Sequence, residues 1–315
     1  MNKLMHVLES QQFDRELMED LFNWAKDIAS GLVEKREIIK PLHGRLMINF
    51  FYEPSTRTMF SFGIAMKKMG GEVISTSEAK QYSSVAKGET LKDTIRTLCE
   101  YCPDVIVLRS PEQGWAKIAS EICDKHYPNV HIINAGDGKG QHPTQALLDM
   151  YTIYRETGTC DNHKIALVGD LKNGRTARSL AYLSAKFSGN KLSFVSPRDL
   201  LMEKDIKQYL KENNVEYRET RKIGNAIKNG CDIFYMTRPR TEYGTDPTMM
   251  TSLTINNETA NRMREDAIIM HPFPRNNEIN EDVDGNKRAS YFRQMRYGLE
   301  IRMALLYYLF SCSNQ

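Results

Sequence analysis

Short apolar runs alternate with segments of helical period along most of the chain, and this alternation narrows the fold more than any other feature. The runs Leu46–Phe51, Val105–Leu108 and His131–Asn134 form one set. A second set follows at Ile165–Val168, Leu192–Val195, Ile233–Met236 and Ala267–Met270. Continuous runs this short are strands buried on both faces. Helices lie between them, for instance Thr56–Met69, Thr176–Phe187 and Asp205–Glu212, with His142–Glu156 as a longer connection. An earlier helix is capped by Asp14 and carries Leu17, Leu21, Trp24 and Ile28 at helical spacing. An amphipathic helix runs from about Tyr291 to Phe310. Strands that alternate with helices pair in parallel, because each return needs a crossover. Two sets in 315 residues predict an α/β protein of two Rossmann-like domains with a cleft between them. Each is a parallel sheet with helices on both faces, and long helices join the two. The expected boundaries are 1–145, completed by the last helix at about 289–315, and 146–288.

A net charge of +3 is too small to argue for nucleic acid. Met1 to Ser10 has no apolar run of signal-peptide length, and Ala304 to Phe310 is too short to span a bilayer. A cytoplasmic protein with no membrane partner is therefore expected. Of the six cysteines, only Cys99 and Cys102 have ligand-like spacing, and no second pair completes a site. They are expected to be reduced and mostly buried thiols, and no metal or cofactor is expected.

The strongest local signal is Phe51-Tyr52-Glu53-Pro54-Ser55-Thr56-Arg57-Thr58. A buried strand ends, a turn follows, and a helix opens on three hydroxyls and an Arg in four residues. Amides at a helix start, the helix dipole, hydroxyls and a guanidinium together make a phosphate site. A plain helix cap would explain Ser-Thr alone, but not the whole cluster. His142-Pro143-Thr144-Gln145 opens a helix after the Gly-rich loop Asn134 to Gly140, where a His and a Gln can face a carbonyl and an amide. In isolation this His reads equally as a capping residue. Val168-Gly169-Asp170-Leu171-Lys172-Asn173-Gly174-Arg175 lacks the G-x-G-x-x-G spacing of a dinucleotide turn, so Arg175 reads as an anion contact. Met236-Thr237-Arg238-Pro239-Arg240 and His271-Pro272-Phe273-Pro274-Arg275 also follow buried strands. Two prolines around Phe273 make a rigid loop that suits a cis bond and can aim a backbone carbonyl. Arg57, Arg175 and Arg238 at strand ends call for anionic ligands. One phosphate and two carboxylates would neutralise them.

In order and spacing these motifs resemble the aspartate and ornithine carbamoyltransferase family over essentially the whole chain. His271-Pro272-Phe273-Pro274 resembles the aspartate branch, since the ornithine branch places a Cys in that loop. The resemblance implies carbamoyl transfer from carbamoyl phosphate to L-aspartate in pyrimidine synthesis. It makes 1–145 the carbamoyl phosphate-binding domain and 146–288 the aspartate-binding domain. Ser55, Thr56, Arg57 and Thr58 would bind the phosphate, and Arg109 both phosphate and carbonyl oxygen. His142 would donate to that oxygen, Gln145 would fix the carbamoyl amide, and the Phe273 backbone would accept from it. Ser83 and Lys87 match a loop that a neighbouring subunit inserts, which implies a homotrimer with shared active sites. Read alone, the polar Ser77 to Gly88 segment is a solvated loop. Arg175 and Arg238 would clamp the aspartate carboxylates, with Arg240 beside them. Two positions depart from the aspartate branch. Arg240 replaces its usual Gln, and Tyr243 replaces an Arg that pairs with the carboxylate matching Glu53.

Carbamoyl transfer needs an oxyanion stabilised by preorganised donors, for which Thr58, Arg109 and His142 are the candidates. Arg57 and Lys87 would serve the departing phosphate. Three other readings stay open: a carbamoyltransferase for another amino acid, a non-catalytic homologue that only binds ligands, and a nucleotide-binding module. The sequence is silent on a regulatory chain.

Overall fold

A computed structural model of the chain describes residues 4–33, 40–82 and 84–311. It separates into two compact units, Met1–Thr144 with Gly298–Gln315, and Gln145–Tyr297. The first unit contains α1 (Arg15–Val33), β1 (Leu46–Phe51), α2 (Thr56–Lys68), β2 (Glu72–Thr76), α3 (Ala79–Tyr82), α4 (Leu91–Cys99), β3 (Val105–Ser110), α5 (Trp115–His126) and β4 (His131–Asp137). The helix α6 (Pro143–Thr157) starts in it and passes into the second unit. The second unit continues with β5 (Lys164–Val168), α7 (Arg175–Ser184), β6 (Lys191–Val195), α8 (Lys204–Glu212), β7 (Glu216–Thr220), α9 (Ile223–Lys228), β8 (Ile233–Met236), α10 (Asn257–Asn261) and β9 (Ile268–Met270). The last helix, α11 (Tyr291–Ser311), starts in the second unit and returns to the first.

In the first unit four parallel strands lie in the order β2-β1-β3-β4. Ile48, Ile106 and Ile132 stand side by side across the ladder. They pack with Ile95 and Cys99 of α4 and with Ala116, Ala119 and Cys123 of α5, all buried. The Asp14 carboxylate accepts from the Leu17 amide at 2.8 Å, which caps α1 as its sequence implies. The final helix closes this unit: the Tyr308 hydroxyl accepts from the Leu4 amide at 3.3 Å, and Arg302 donates to Ser61 Oγ at 2.8 Å.

In the second unit five parallel strands lie in the order β7-β6-β5-β8-β9. Ala166, Val168, Phe234, Met236 and Ile269 form one buried face, closed by Ala226, Ala260 and Tyr291. The fold is thus α/β, with two parallel sheets. Their edge strands β2 and β7 have no apolar run in the sequence. Their side chains are half-buried or exposed, as suits a sheet edge that carries charge.

The strand order reverses between β1 and β3 in one sheet and between β5 and β8 in the other. Loops leaving the carboxyl ends of such neighbours diverge and leave a crevice, which is where open α/β sheets bind ligands. Among the described residues Cys99, Cys123, Cys160 and Cys231 are buried and Cys102 is exposed, and none of them is in a disulfide, while Cys312 lies outside them. No described helix is long and apolar enough to cross a membrane.

Candidate active site

The first crevice gathers three segments. β1 pairs with β3 up to Phe51 beside Arg109, and the Tyr52 amide donates to the Arg109 carbonyl at 2.9 Å. β3 pairs with β4 up to Ser110 beside Asp137, and the Gly138 amide donates to the Ser110 carbonyl at 3.0 Å. One edge of this sheet therefore carries the Glu53 to Thr58 turn, Arg109 and the loop that leads to His142. Ser55 is the N-cap residue of α2 but makes no side-chain capping bond. A mere cap would use its hydroxyl on the first turn, so the hydroxyl-rich start needs another explanation. Amides in the first turn of a helix have no carbonyl of their own helix to meet. Thr56 and Arg57 are exposed there, Ser55 is half-buried and Thr58 is buried.

Arg109 sits inside β3, one residue beyond the expected end of that strand. Its Nη1 donates to the Ala135 carbonyl at 3.1 Å, and its Nε lies 3.9 Å from Glu53. The loop after β4 is shaped by Asp137, whose carboxylate accepts from the Gly114 and Gln141 amides at 3.0 and 2.7 Å. Gly138 has φ 54°, and a Cβ there would stand 2.3 Å from the Pro111 carbonyl oxygen. His142 follows this loop, buried, with Nδ1 3.5 Å from Thr144 Oγ1. Lys87 ends a short 3-10 helix, Ser84–Lys87, and is exposed, while Ser83 lies outside the described residues.

The second crevice lies within the other unit, at β5 and β8. Gly169 leaves β5 with φ 122°, and a Cβ there would meet the Thr237 carbonyl oxygen at 2.4 Å. Only glycine lets the two strand ends come this close. Thr237 donates from both N and Oγ1 to the Val168 carbonyl, at 2.8 and 3.0 Å. The buried Asp170 carboxylate then ties three pieces of loop together. It accepts from the Thr245 hydroxyl at 2.6 Å, the Asn173 amide at 3.0 Å and the Arg240 amide at 3.3 Å. Arg175 opens α7 with Gly174 as its N-cap residue, and is buried.

Arg238 forms a bidentate pair with Glu242, at 2.7 and 3.0 Å. Arg240 shares that carboxylate at 3.5 Å and lies over the Tyr243 ring at 5.7 Å. Burial pushes the Glu242 carboxyl up, but the Arg238 contact and the charge of Arg240 outweigh it, and its pKa lies below the ordinary value. The two departures from the aspartate branch, Arg240 and Tyr243, therefore touch each other. Gln145 opens the second unit on α6, buried, and donates to Asp149 at 2.9 Å. Phe273 has φ 54°, its bond to Pro274 is cis, and its amide donates to His271 Nδ1 at 2.8 Å. Asp170 lies within the Val168 to Arg175 motif, whose pattern gives it no role. Its partner Thr245 lies seventy-five residues away, so no local pattern could reveal the bond.

The sequence profile of the aspartate/ornithine carbamoyltransferase carbamoyl-P binding domain matches residues 5–155, and that of the Asp/Orn binding domain matches 161–309. The chain is 48% identical to the chloroplastic aspartate carbamoyltransferase 3 of Pisum sativum, covering 96% of this chain and 77% of the relative. The catalytic subunit of aspartate transcarbamoylase from Methanocaldococcus jannaschii superposes with TM-score 0.89 at 43% identity, over 99% of both chains. Aspartate transcarbamoylase from Trypanosoma cruzi, solved with carbamoyl phosphate and aspartate, superposes with TM-score 0.89 at 36% identity, over 98% of this chain and 97% of that one. Matched by both domain profiles and by relatives along nearly its whole length, the chain belongs to the aspartate/ornithine carbamoyltransferase family.

Proposed function

We propose that this chain is the catalytic chain of an aspartate carbamoyltransferase, transferring the carbamoyl group of carbamoyl phosphate to L-aspartate for pyrimidine biosynthesis. The observation that carries the reading is the placement of its anion-seeking residues, Arg57 and Arg109 around one sheet reversal and Arg175, Arg238 and Arg240 around the other. The region 1–145, with about 289–315, binds carbamoyl phosphate, and 146–288 binds aspartate. Ser55, Thr56, Arg57 and Thr58 hold the phosphate at the start of α2. Arg109, Thr58 and His142 donate to the carbonyl oxygen, on which negative charge grows as the amine attacks. Gln145 and the Phe273 carbonyl receive the carbamoyl amide, and Arg175, Arg238 and Arg240 receive the acceptor's carboxylates.

The aspartate nitrogen bonds to the carbamoyl carbon as the bond from that carbon to the phosphate oxygen breaks. The phosphate leaves with the bonding electrons and takes the proton that the amine loses. Ser83 and Lys87 reach the site from a neighbouring copy in a homotrimer, and Lys87 stabilises the departing phosphate. An assay of carbamoyl transfer across a panel of amino acids tests the reading. N-carbamoyl-L-aspartate should form and ornithine should not react. Transfer to ornithine with none to aspartate would overturn it.

A further inference from the structure

Six side chains and amides of the second unit form one continuous buried hydrogen-bond path. The Gln145 amide nitrogen donates to Asp149 Oδ1 at 2.9 Å, and the Gln294 amide nitrogen donates to the same oxygen at 2.6 Å. Gln294 Oε1 then accepts from the His271 backbone amide at 2.9 Å. His271 Nδ1 accepts from the Phe273 amide at 2.8 Å, and its Nε2 lies 2.7 Å from Glu278 Oε1. Asp149, Gln294 and His271 are wholly buried, and Glu278 is 3% exposed.

Three members of this path, Gln145, Gln294 and His271, can each be turned over without changing shape. Two members cannot, because an ionised carboxylate only accepts. Those two decide the rest. Asp149 must receive NH2 from both glutamines, so Gln145 Oε1 faces away from it. The same choice turns Gln294 Oε1 to the His271 amide. Glu278 must accept a hydrogen bond from His271 Nε2–H, which leaves Nδ1 as the acceptor for the Phe273 amide, whose residue stands at φ 54°. Burial raises the Tyr235 hydroxyl well above its ordinary pKa, and the negative charge of Asp149 adds to the rise. Burial pushes the Glu278 carboxyl up, but the His271 contact and the backbone amides of Glu278 and Asn276 together hold it below its ordinary range.

We propose that Asp149 and Glu278 are positioning residues that set the polarity of the carbamoyl-amide contact, presenting Gln145 Oε1 and the Phe273 carbonyl as acceptors. The inference rests on the reading that these two groups meet the carbamoyl amide. They then form a specificity device: two acceptors suit an –NH2 group and leave a methyl group with nothing to offer them. Acetyl phosphate, which carries a methyl where carbamoyl phosphate carries NH2, is the probe. It is measured as a competitive inhibitor beside the KM for carbamoyl phosphate.

Asp149→Leu keeps the branched shape and removes the acceptor. It should raise the KM for carbamoyl phosphate roughly tenfold, the size of effect that leaving a buried polar group unmatched produces, while moving the acetyl phosphate inhibition constant less than twofold. Asp149→Asn keeps an oxygen that both glutamines can reach, and should retain the wild-type ratio of the two constants. If Asp149→Leu does not fold, Glu278→Met applies the same test from the Phe273 side. Equal changes for both phosphates, or no change, overturn the proposal. Gln145→Ala separates the two layers of argument. If it leaves the ratio unaltered, Gln145 does not meet the carbamoyl amide and the site reading itself fails. If it collapses the ratio while Asp149→Leu preserves it, only the positioning role is wrong.

Discussion

Arg240→Gln restores the residue common in the aspartate branch, and the structure bounds what it should do. The side chain shares Glu242 with Arg238 and stands over Tyr243, so two interactions are lost. The ion pair is partly exposed and contributes about 0–1 kcal/mol. The cation–ring contact contributes roughly 0.5–1 kcal/mol. Glu242 keeps its bidentate bond to Arg238, so no carboxylate is stranded. The Arg240 backbone amide keeps Asp170, so the loop stays anchored. The loss therefore centres on about 1 kcal/mol, which is roughly fivefold in an equilibrium constant. It falls on the acceptor loop alone. In steady-state assays with one substrate saturating and the other varied, the KM for aspartate should rise roughly fivefold, while that for carbamoyl phosphate stays within about twofold. Equal shifts for both substrates, or none, would show that Arg240 has no part in holding the acceptor.

Arg57→Ala should cost on the order of a hundredfold or more in kcat with little change in Tm, since the side chain is exposed; near-normal turnover would reduce the motif to a helix start. Gly169→Ala should destabilise by about 1–3 kcal/mol in urea unfolding, because the new methyl meets the Thr237 carbonyl, and an unchanged midpoint would refute that crowding. His163 pairs with Asp232 at 2.8 Å; burial lowers its pKa, but this bond and the Thr159 carbonyl outweigh it and leave it above the ordinary 6.5. A pKa raised by folding stabilises fully below about 6.5, and that contribution fades as pH rises through the folded value. His163→Gln should therefore flatten the decline in unfolding free energy above that pH, and an unaltered slope would remove the pair from the account. Finally, Lys87→Ala and His142→Ala chains, each inactive, should recover activity when mixed and reassembled if sites are shared between copies. Verified mixing without recovery would place Lys87 in its own chain's site or outside any site.

The buried strands were legible because a continuous apolar run such as Leu46–Phe51 has few other uses. The start of α2 was legible because three hydroxyls and an Arg exceed what a cap requires. Edge strands such as Glu216–Thr220 were not, since a polar strand at a sheet margin looks like a loop. Arg109 has no local signature: it is one side chain inside a strand, and only resemblance to a family singled it out. The His271 and Phe273 loop announced its rigidity through two prolines. Its supports did not, because Gln294 meets Asp149 across 145 residues of sequence. Local pattern reports groups that face a ligand more readily than the groups that turn them.

The return of α11 to the first unit has a consequence for how the chain is made. Ribosomes release residues in order, so Gln145–Tyr297 is contiguous in time as well as in sequence and can close without waiting for residues that follow it. The unit that begins the chain cannot. Its bonds from Leu4 to Tyr308 and from Ser61 to Arg302 wait for the last turns of α11 to emerge. The half translated first is thus finished last, and stays open to chaperones and proteases until then. A nonsense codon just before Gly298 should spare the second unit and leave the first, with its phosphate turn, unable to mature.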